Sequence, residues 1–371
     1  MNQRDRILTV FRGEIPDAVP YMLDLSHWFY HKHRMPWDLS VSYAEPEREL
    51  IDCHKKAGAG FYMPNLAHFY DVRYADDVKV ATEKSDDGQT IRWGIETPLG
   101  SIERKRVWKD QTYAWATPEW AVKTERDLAV LAYALGSRSF SPRWENYARW
   151  DECVGGAGVV YMPAGYSAMG QLLHYWMGVE AAAYAVCETP GVVREAVDRI
   201  NANNLSLIDL LTRSPADIVI LGDNFSSDVQ PPRFFKEWSS AYYEEAVGRL
   251  HAAGKRVAVH VDGRLRGALA MMRDVGADCI DAVTPPPMGD LTPEECRNEA
   301  GPDLILSGGV SPDLWLPSAD LDDFKKAVLE WLDTRERSPR LIAAAGDQVP
   351  PGADEDRIRL MRDLVESHGR Y

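Results

Sequence analysis

Short apolar runs alternate along the chain with stretches of helical periodicity, the pattern of parallel strands joined by crossover helices. Eight runs stand out: Val19 to Leu23, Gly60 to Pro64, Val159 to Pro163, Asp217 to Leu221, Arg256 to Val261, Asp278 to Val283, Asp303 to Leu306 and Leu341 to Ala345. Nearly all run into small or polar residues: Asp24, Asn65, Gly165, Asp223 with Asn224, Asp262 with Gly263, Thr284, Gly308 with Gly309, and Gly346 with Asp347. The pattern predicts an α/β protein, a single (β/α)₈ TIM barrel over residues 1–371, and in such a barrel these strand ends ring the face that carries chemistry.

Apolar residues at three- and four-residue spacing predict helices over Glu180 to Ser214, Pro232 to Ala253, Leu265 to Val275, Leu321 to Arg335 and Asp354 to Ser367. Thr292-Pro-Glu-Glu295 carries a capping box with Pro at the first helical position, so a further short helix starts there. Residues 78–108 differ. Turn signals at Asp86-Asp-Gly88 and Pro98-Leu-Gly100 separate extended runs, which predicts a β-meander inserted before the third barrel strand, at the mouth or an interface. No internal repeat is evident.

Composition narrows the class. With 45% hydrophobic and 27% charged residues the chain reads as an ordinary globular protein, and it has no apolar run of membrane-spanning length. Met1 to Gly13 is a polar amphipathic helix rather than a signal peptide. Cys53, Cys153, Cys187, Cys279 and Cys296 are scattered without a C-x-x-C pair, which fits a reducing, cytoplasmic compartment. A net charge of −15, from 42 basic and 57 acidic residues, weighs against a nucleic-acid partner and leaves a small molecule or another protein. The oligomeric state is not legible.

The sharpest chemical pattern is Val257-Ala-Val-His-Val-Asp-Gly263. Strand side chains alternate, so His260 and Asp262 share one face. Asp347, ending the eighth run, lies nearby in a closed barrel. His260, Asp262 and Asp347 with an open fourth position would suit a catalytic divalent ion; the alternative is a hydrogen-bonded pair that shapes a pocket. Asn65 and His68 are placed to reach substrate, or Asn65 to hold its turn. Gly308 and Gly309 permit close approach of a ligand, or serve the turn alone. His27, His31 and His33 read as a solvated cluster, Met169, His174 and Trp176 as packing, and Cys279 and Cys296 as small buried hydrophobes.

Several segments resemble the uroporphyrinogen decarboxylase superfamily: Arg4 to Pro20 at the start, His260-Val-Asp-Gly263, Leu306-Ser-Gly-Gly-Val-Ser-Pro312, and Gly346-Asp-Gln-Val-Pro-Pro351 before the last helix. The likeness spans nearly the whole chain and is nearer to the corrinoid-linked zinc methyltransferases than to uroporphyrinogen decarboxylase itself. The arginine-rich R-x-x-G-R segment of that decarboxylase is replaced by the aromatic, histidine-rich stretch from Asp24 to Arg34. Tyr166-Ser-Ala-Met-Gly170 resembles the superfamily's G-P-F-like loop, which implies that Tyr166 and Ser167 line the pocket. Leu221-Gly-Asp-Asn resembles its G-D-D-like element, which implies a substrate-orienting or proton-transfer role for Asp223, with Asn224 a departure; capping of the next turn is the other role open to Asp223.

The methyltransferases hold zinc with an H-x-C pair and a later Cys; here Asp262 and Asp347 stand in place of both thiolates. Either zinc is lost or the ion is harder and suited to polarising oxygen. The resemblance thus implies transfer of a methyl group between a methoxylated substrate and a corrinoid. The cobalamin would be carried by a separate protein, because the chain has no D-x-H-x-x-G domain. A lyase or decarboxylase acting on a small carboxylate through His260 and the aspartates, and a catalytically silent binding protein, are the alternatives.

Overall fold

The computed structural model describes residues 1–371. Six parallel strands form a continuous sheet: Met162–Gly165, Ile218–Phe225, Arg256–Val261, Cys279–Val283, Ile305–Val310 and Leu341–Ala345. They are barrel strands three to eight. The first two are short and close the ring through a few backbone bonds at each junction. Met22 N donates to Ala343 O at 2.9 Å and Gly60 N to Tyr21 O at 2.7 Å. Val159 N then donates to Phe61 O at 2.9 Å. A Cβ on Gly158 would sit 2.0 Å from Phe61 O, so only glycine lets these strands meet. All eight runs are therefore barrel strands, the seventh continuing through Gly308 and Gly309 to Val310.

Two apolar layers follow from the alternation. Inward-facing Met22, Tyr62, Tyr161, Ile218, Ile220, Ala258, Cys279, Ile305 and Ile342 fill the barrel, and Ile7, Val10 and Phe11 of the first helix plug its lower end. Outward-facing Val257, Val259 and Val261 join the larger cluster beneath the helices. The helix expected over Glu180 to Ser214 is two, Val179–Glu188 and Pro190–Leu211. Pro190 has no N–H to continue the first helix and starts the second. Thr292 and Glu295 form the capping box that their spacing predicts. No helix is long and apolar enough to cross a membrane.

Between barrel strands two and three lies a four-stranded antiparallel sheet: Lys79–Lys84, Thr90–Thr97, Gly100–Lys109 and Ala114–Glu119. It runs past residue 108 because Trp115 pairs with Trp108, and Trp115 Nε1 donates to Trp37 O at 2.9 Å. One end of its inner face, Ile95 and Ile102, packs with Leu172 and Leu173 after the third strand. The other end, Trp108 with Tyr113, packs with Tyr30 after the first strand. The sheet thus bridges loops on two sides of the barrel mouth.

Candidate active site

Two residues along the strands, the barrel interior changes from apolar to polar. Cys279 pairs in register with Ala258 and Ile305, whereas Asp281 pairs with His260 and Ser307. The period of two aims all three polar side chains inward. His260 Nδ1 stands 3.5 Å from Asp281 Oδ2, and neither atom has a hydrogen-bond partner. Ser307 Oγ donates to Asp281 Oδ1 at 3.2 Å. The Asp281 side chain is 0% exposed and that of His260 20%. Burial lowers the affinity of His260 for a proton, but the Asp281 carboxylate, with Asp347 and Asp262 behind it, outweighs burial and lifts its pKa to about 9. The carboxylate of Asp281 thus favours the protonated, cationic form of the His260 ring.

Asp347 follows the eighth strand. Burial pushes its carboxyl up to about 7, His260 pulls it down, and Asp262 and Asp24 push it up again. Asp24, at the end of the first strand, accepts from Ser26 N at 2.8 Å, Ser26 Oγ at 2.5 Å and Gln348 Nε2 at 3.1 Å. Asp262 is exposed on the rim. His260, Asp262 and Asp347 therefore feel one another's charge, yet no three His, Cys, Asp or Glu side chains stand close enough together to hold a metal ion. As placed they are not a coordination set, and Nδ1 of His260 faces Asp281.

Other expected residues divide. Tyr166 reaches the mouth, donating from its hydroxyl to Asn224 Oδ1 at 2.7 Å. Asn224 takes φ 43°, a left-handed backbone that Asn tolerates. Asn65 N donates to Glu47 Oε2 at 3.2 Å, while its buried Nδ2 has no partner.

Asp223, Ser167 and Gly309 make structural contacts. Asp223 shares the outward parity of Val219 and Leu221 and is fully buried. It accepts from Ser167 N at 2.6 Å and from Ser167 Oγ, so Ser167 is spent on capping its own helix and binding Asp223. Burial raises Asp223 to about 6, against the pull of its bonds from Ser167. Gly309 is required by Trp331, whose Cγ would lie 2.3 Å from an added Cβ.

Asp281 is not singled out in the sequence, and His174 reads there as packing. Asp281 sits inside an apolar strand run, and a lone carboxylate at an inward position was its available signal. His174 lies on a π-helical turn, Leu172–Trp176, a distortion frequent at functional sites. Its buried Nε2 has no partner, its ring centroid is 6.1 Å from that of Tyr166, and Asp262 opposes the lowering of its pKa by burial. Nothing in the sequence marks a π-turn.

A closed (β/α)₈ barrel with a buried histidine–carboxylate pair among its strand ends has the architecture of a barrel enzyme. The sequence profile of the uroporphyrinogen decarboxylase (URO-D) family matches residues 164–368, more than half of the chain. The chain belongs to that family. In structure it is similar to a methyltransferase from Methanosarcina mazei over 99% of both chains, with a TM-score of 0.63 and 14% identity, a likeness of fold. Fainter likenesses carry no argument. One is to the catalytic modules of a pneumococcal exo-β-D-N-acetylglucosaminidase, with a TM-score of 0.35 and 9% identity over 61% of this chain and 64% of that one. Another is to a type I 3-dehydroquinate dehydratase from Clostridium difficile, with a TM-score of 0.26 and 11% identity over 56% and 92%. No curated protein matches the chain in sequence.

Proposed function

We propose that the protein is a methyltransferase that moves a methyl group between a small methoxylated substrate and a corrinoid carried by a separate protein. The observation that carries this reading is the His260–Asp281 pair, in a fold shared along its length with a methyltransferase. Breaking a methyl–oxygen bond leaves negative charge on oxygen, and a buried cation at that atom lowers the barrier. His260 supplies the cation and then the proton: its Nε2–H passes to the departing oxygen while the methyl group leaves without its bonding pair. The corrinoid, when docked, supplies the electron pair that accepts the methyl group.

Asp281 keeps His260 charged until transfer, and Asp347, titrating near neutrality, suits return of the proton afterwards. The aspartates at 262 and 347 remove the thiolates that a thiol-activating ion would need. The side chains as placed do not gather around zinc, so no step is routed through a metal.

The test offers the purified protein methoxylated compounds or methyl thioethers with cob(I)alamin and follows the corrin absorbance. Methylation from the methoxy compounds is expected, lost in His260→Gln with cooperative melting retained. Reaction of methyl thioethers alone, or full activity in His260→Gln, overturns the proposal.

A further inference from the structure

The inner face of the inserted sheet carries two arginines that no carboxylate meets. Arg104 and Arg106 are two residues apart on one strand, opposite Trp93 and Ile91 of its neighbour, and so share a face. Neither is within 4.0 Å of any Asp or Glu oxygen, although the chain has 57 acidic residues against 42 basic ones. Such an acidic protein has carboxylates to spare, and a guanidinium removed from water without one is costly.

Arg104 is only 5% exposed. Its Cζ lies 4.3 Å from the Trp93 ring and 4.7 Å from the Trp176 ring. Its Nη1 donates to Tyr175 O at 2.9 Å, and its buried Nε has no acceptor. Burial, then the charge of Arg106, pulls its pKa down to about 9. Arg104 thereby fastens the sheet to the π-turn that carries His174.

Arg106 is half-buried and differently committed. Its Nε donates to Thr117 Oγ1 at 3.2 Å, and no protein acceptor takes its two terminal nitrogens. Its Cζ is 5.4 Å from the ring of Tyr175, which packs edge-on against Tyr166 with centroids 4.7 Å apart. Tyr166 in turn bonds Asn224 at the mouth. The free end of Arg106 is thus a two-pronged donor linked to the mouth through the rings of Tyr175 and Tyr166, on a sheet anchored at both sides of it.

We infer that Arg106, held in place beside Arg104, binds a carboxylate at the end of the substrate remote from the reacting methyl group. Two terminal N–H groups match the two oxygens of a carboxylate, and the rings of Tyr175 and Tyr166 between Arg106 and the mouth suit a planar, apolar body. This inference rests on reading the barrel mouth as the substrate site and adds its substrate class: a methoxylated organic acid.

The experiment is isothermal titration calorimetry of the full chain with 4-methoxybenzoate and with its neutral counterpart, 4-methoxybenzamide. Saturable binding of the benzoate is expected, weakened at least tenfold in the amide and at least tenfold in Arg106→Gln, with the weak affinity for the amide unchanged in that variant. Arg106→Lys, which keeps charge but not the fork, should fall between, and unchanged melting of either variant confirms its fold. Equal affinity for acid and amide, wild-type affinity in Arg106→Gln, or no binding of the benzoate overturns the inference. Because binding is read without turnover, a failure of methyl transfer leaves this result standing. Methyl transfer from neutral methoxy compounds alone, with no preference for the acid, sinks the carboxylate subsite and spares the transferase.

Discussion

Replacing Asp281 by Asn removes the negative charge that faces His260 while nearly preserving shape. The rise in the pKa of His260 from 6.5 to about 9 corresponds to a preference for the imidazolium of about 3 kcal/mol, at ~1.4 kcal/mol per tenfold. Without Asp281 the burial that lowers the pKa faces only the weaker pull of Asp347 and Asp262. His260 should then titrate about two pH units or more lower and be largely neutral at pH 7.5. Nuclear magnetic resonance of histidine-labelled protein reads both titrations directly. The sign also appears in stability. A folded-state pKa above the unfolded value adds stability that is complete below about 6.5 and lost as pH rises through about 9. The melting difference between wild type and Asp281→Asn should shrink over that window. A wild-type His260 that titrates at or below 6.5, or one that Asp281→Asn leaves unmoved, refutes the reasoning.

Gly309→Ala should cost about 2–3 kcal/mol in thermal unfolding, because its Cβ would fall 2.3 Å from the buried Trp331 ring; melting like wild type would show that the ring yields. Asp223→Ala strips Ser167 of both its bonds to that carboxylate and should lose roughly 2 kcal/mol. Unchanged melting with abolished turnover would return Asp223 to a direct chemical role. Protein purified without chelator should hold well under one equivalent of zinc, since His260, Asp262 and Asp347 are not gathered around a common point. One tightly held zinc per chain, lost in Asp262→Ala, would show that these side chains close around an ion.

The barrel was legible because its signal is local: apolar runs with polar ends, repeated, leave few other ways to bury the strands. His260 was legible as a candidate because a histidine interrupts an otherwise apolar strand run near its end. The two roles left open for Asp223 could not be separated from sequence, because the period of two aims it outward only once its parity is known from the partner strands. The pairing of Asp281 with His260 depends on the register between neighbouring strands, a long-range fact. Arg104 and Arg106 look like surface charges of a polar strand until the sheet is laid against the Tyr175 turn.

Methyl transfer is tested most directly by following the methyl carbon itself. The purified protein is incubated with a methoxybenzoate labelled with ¹³C in the methoxy group and with cob(I)alamin, and the label is tracked by nuclear magnetic resonance. The account predicts that the label appears on cobalt, with one equivalent of the hydroxybenzoate formed per methyl group and the carboxylate intact. Label released as methanol, or carbon dioxide formed from the carboxylate while the methoxy group stays in place, would contradict it.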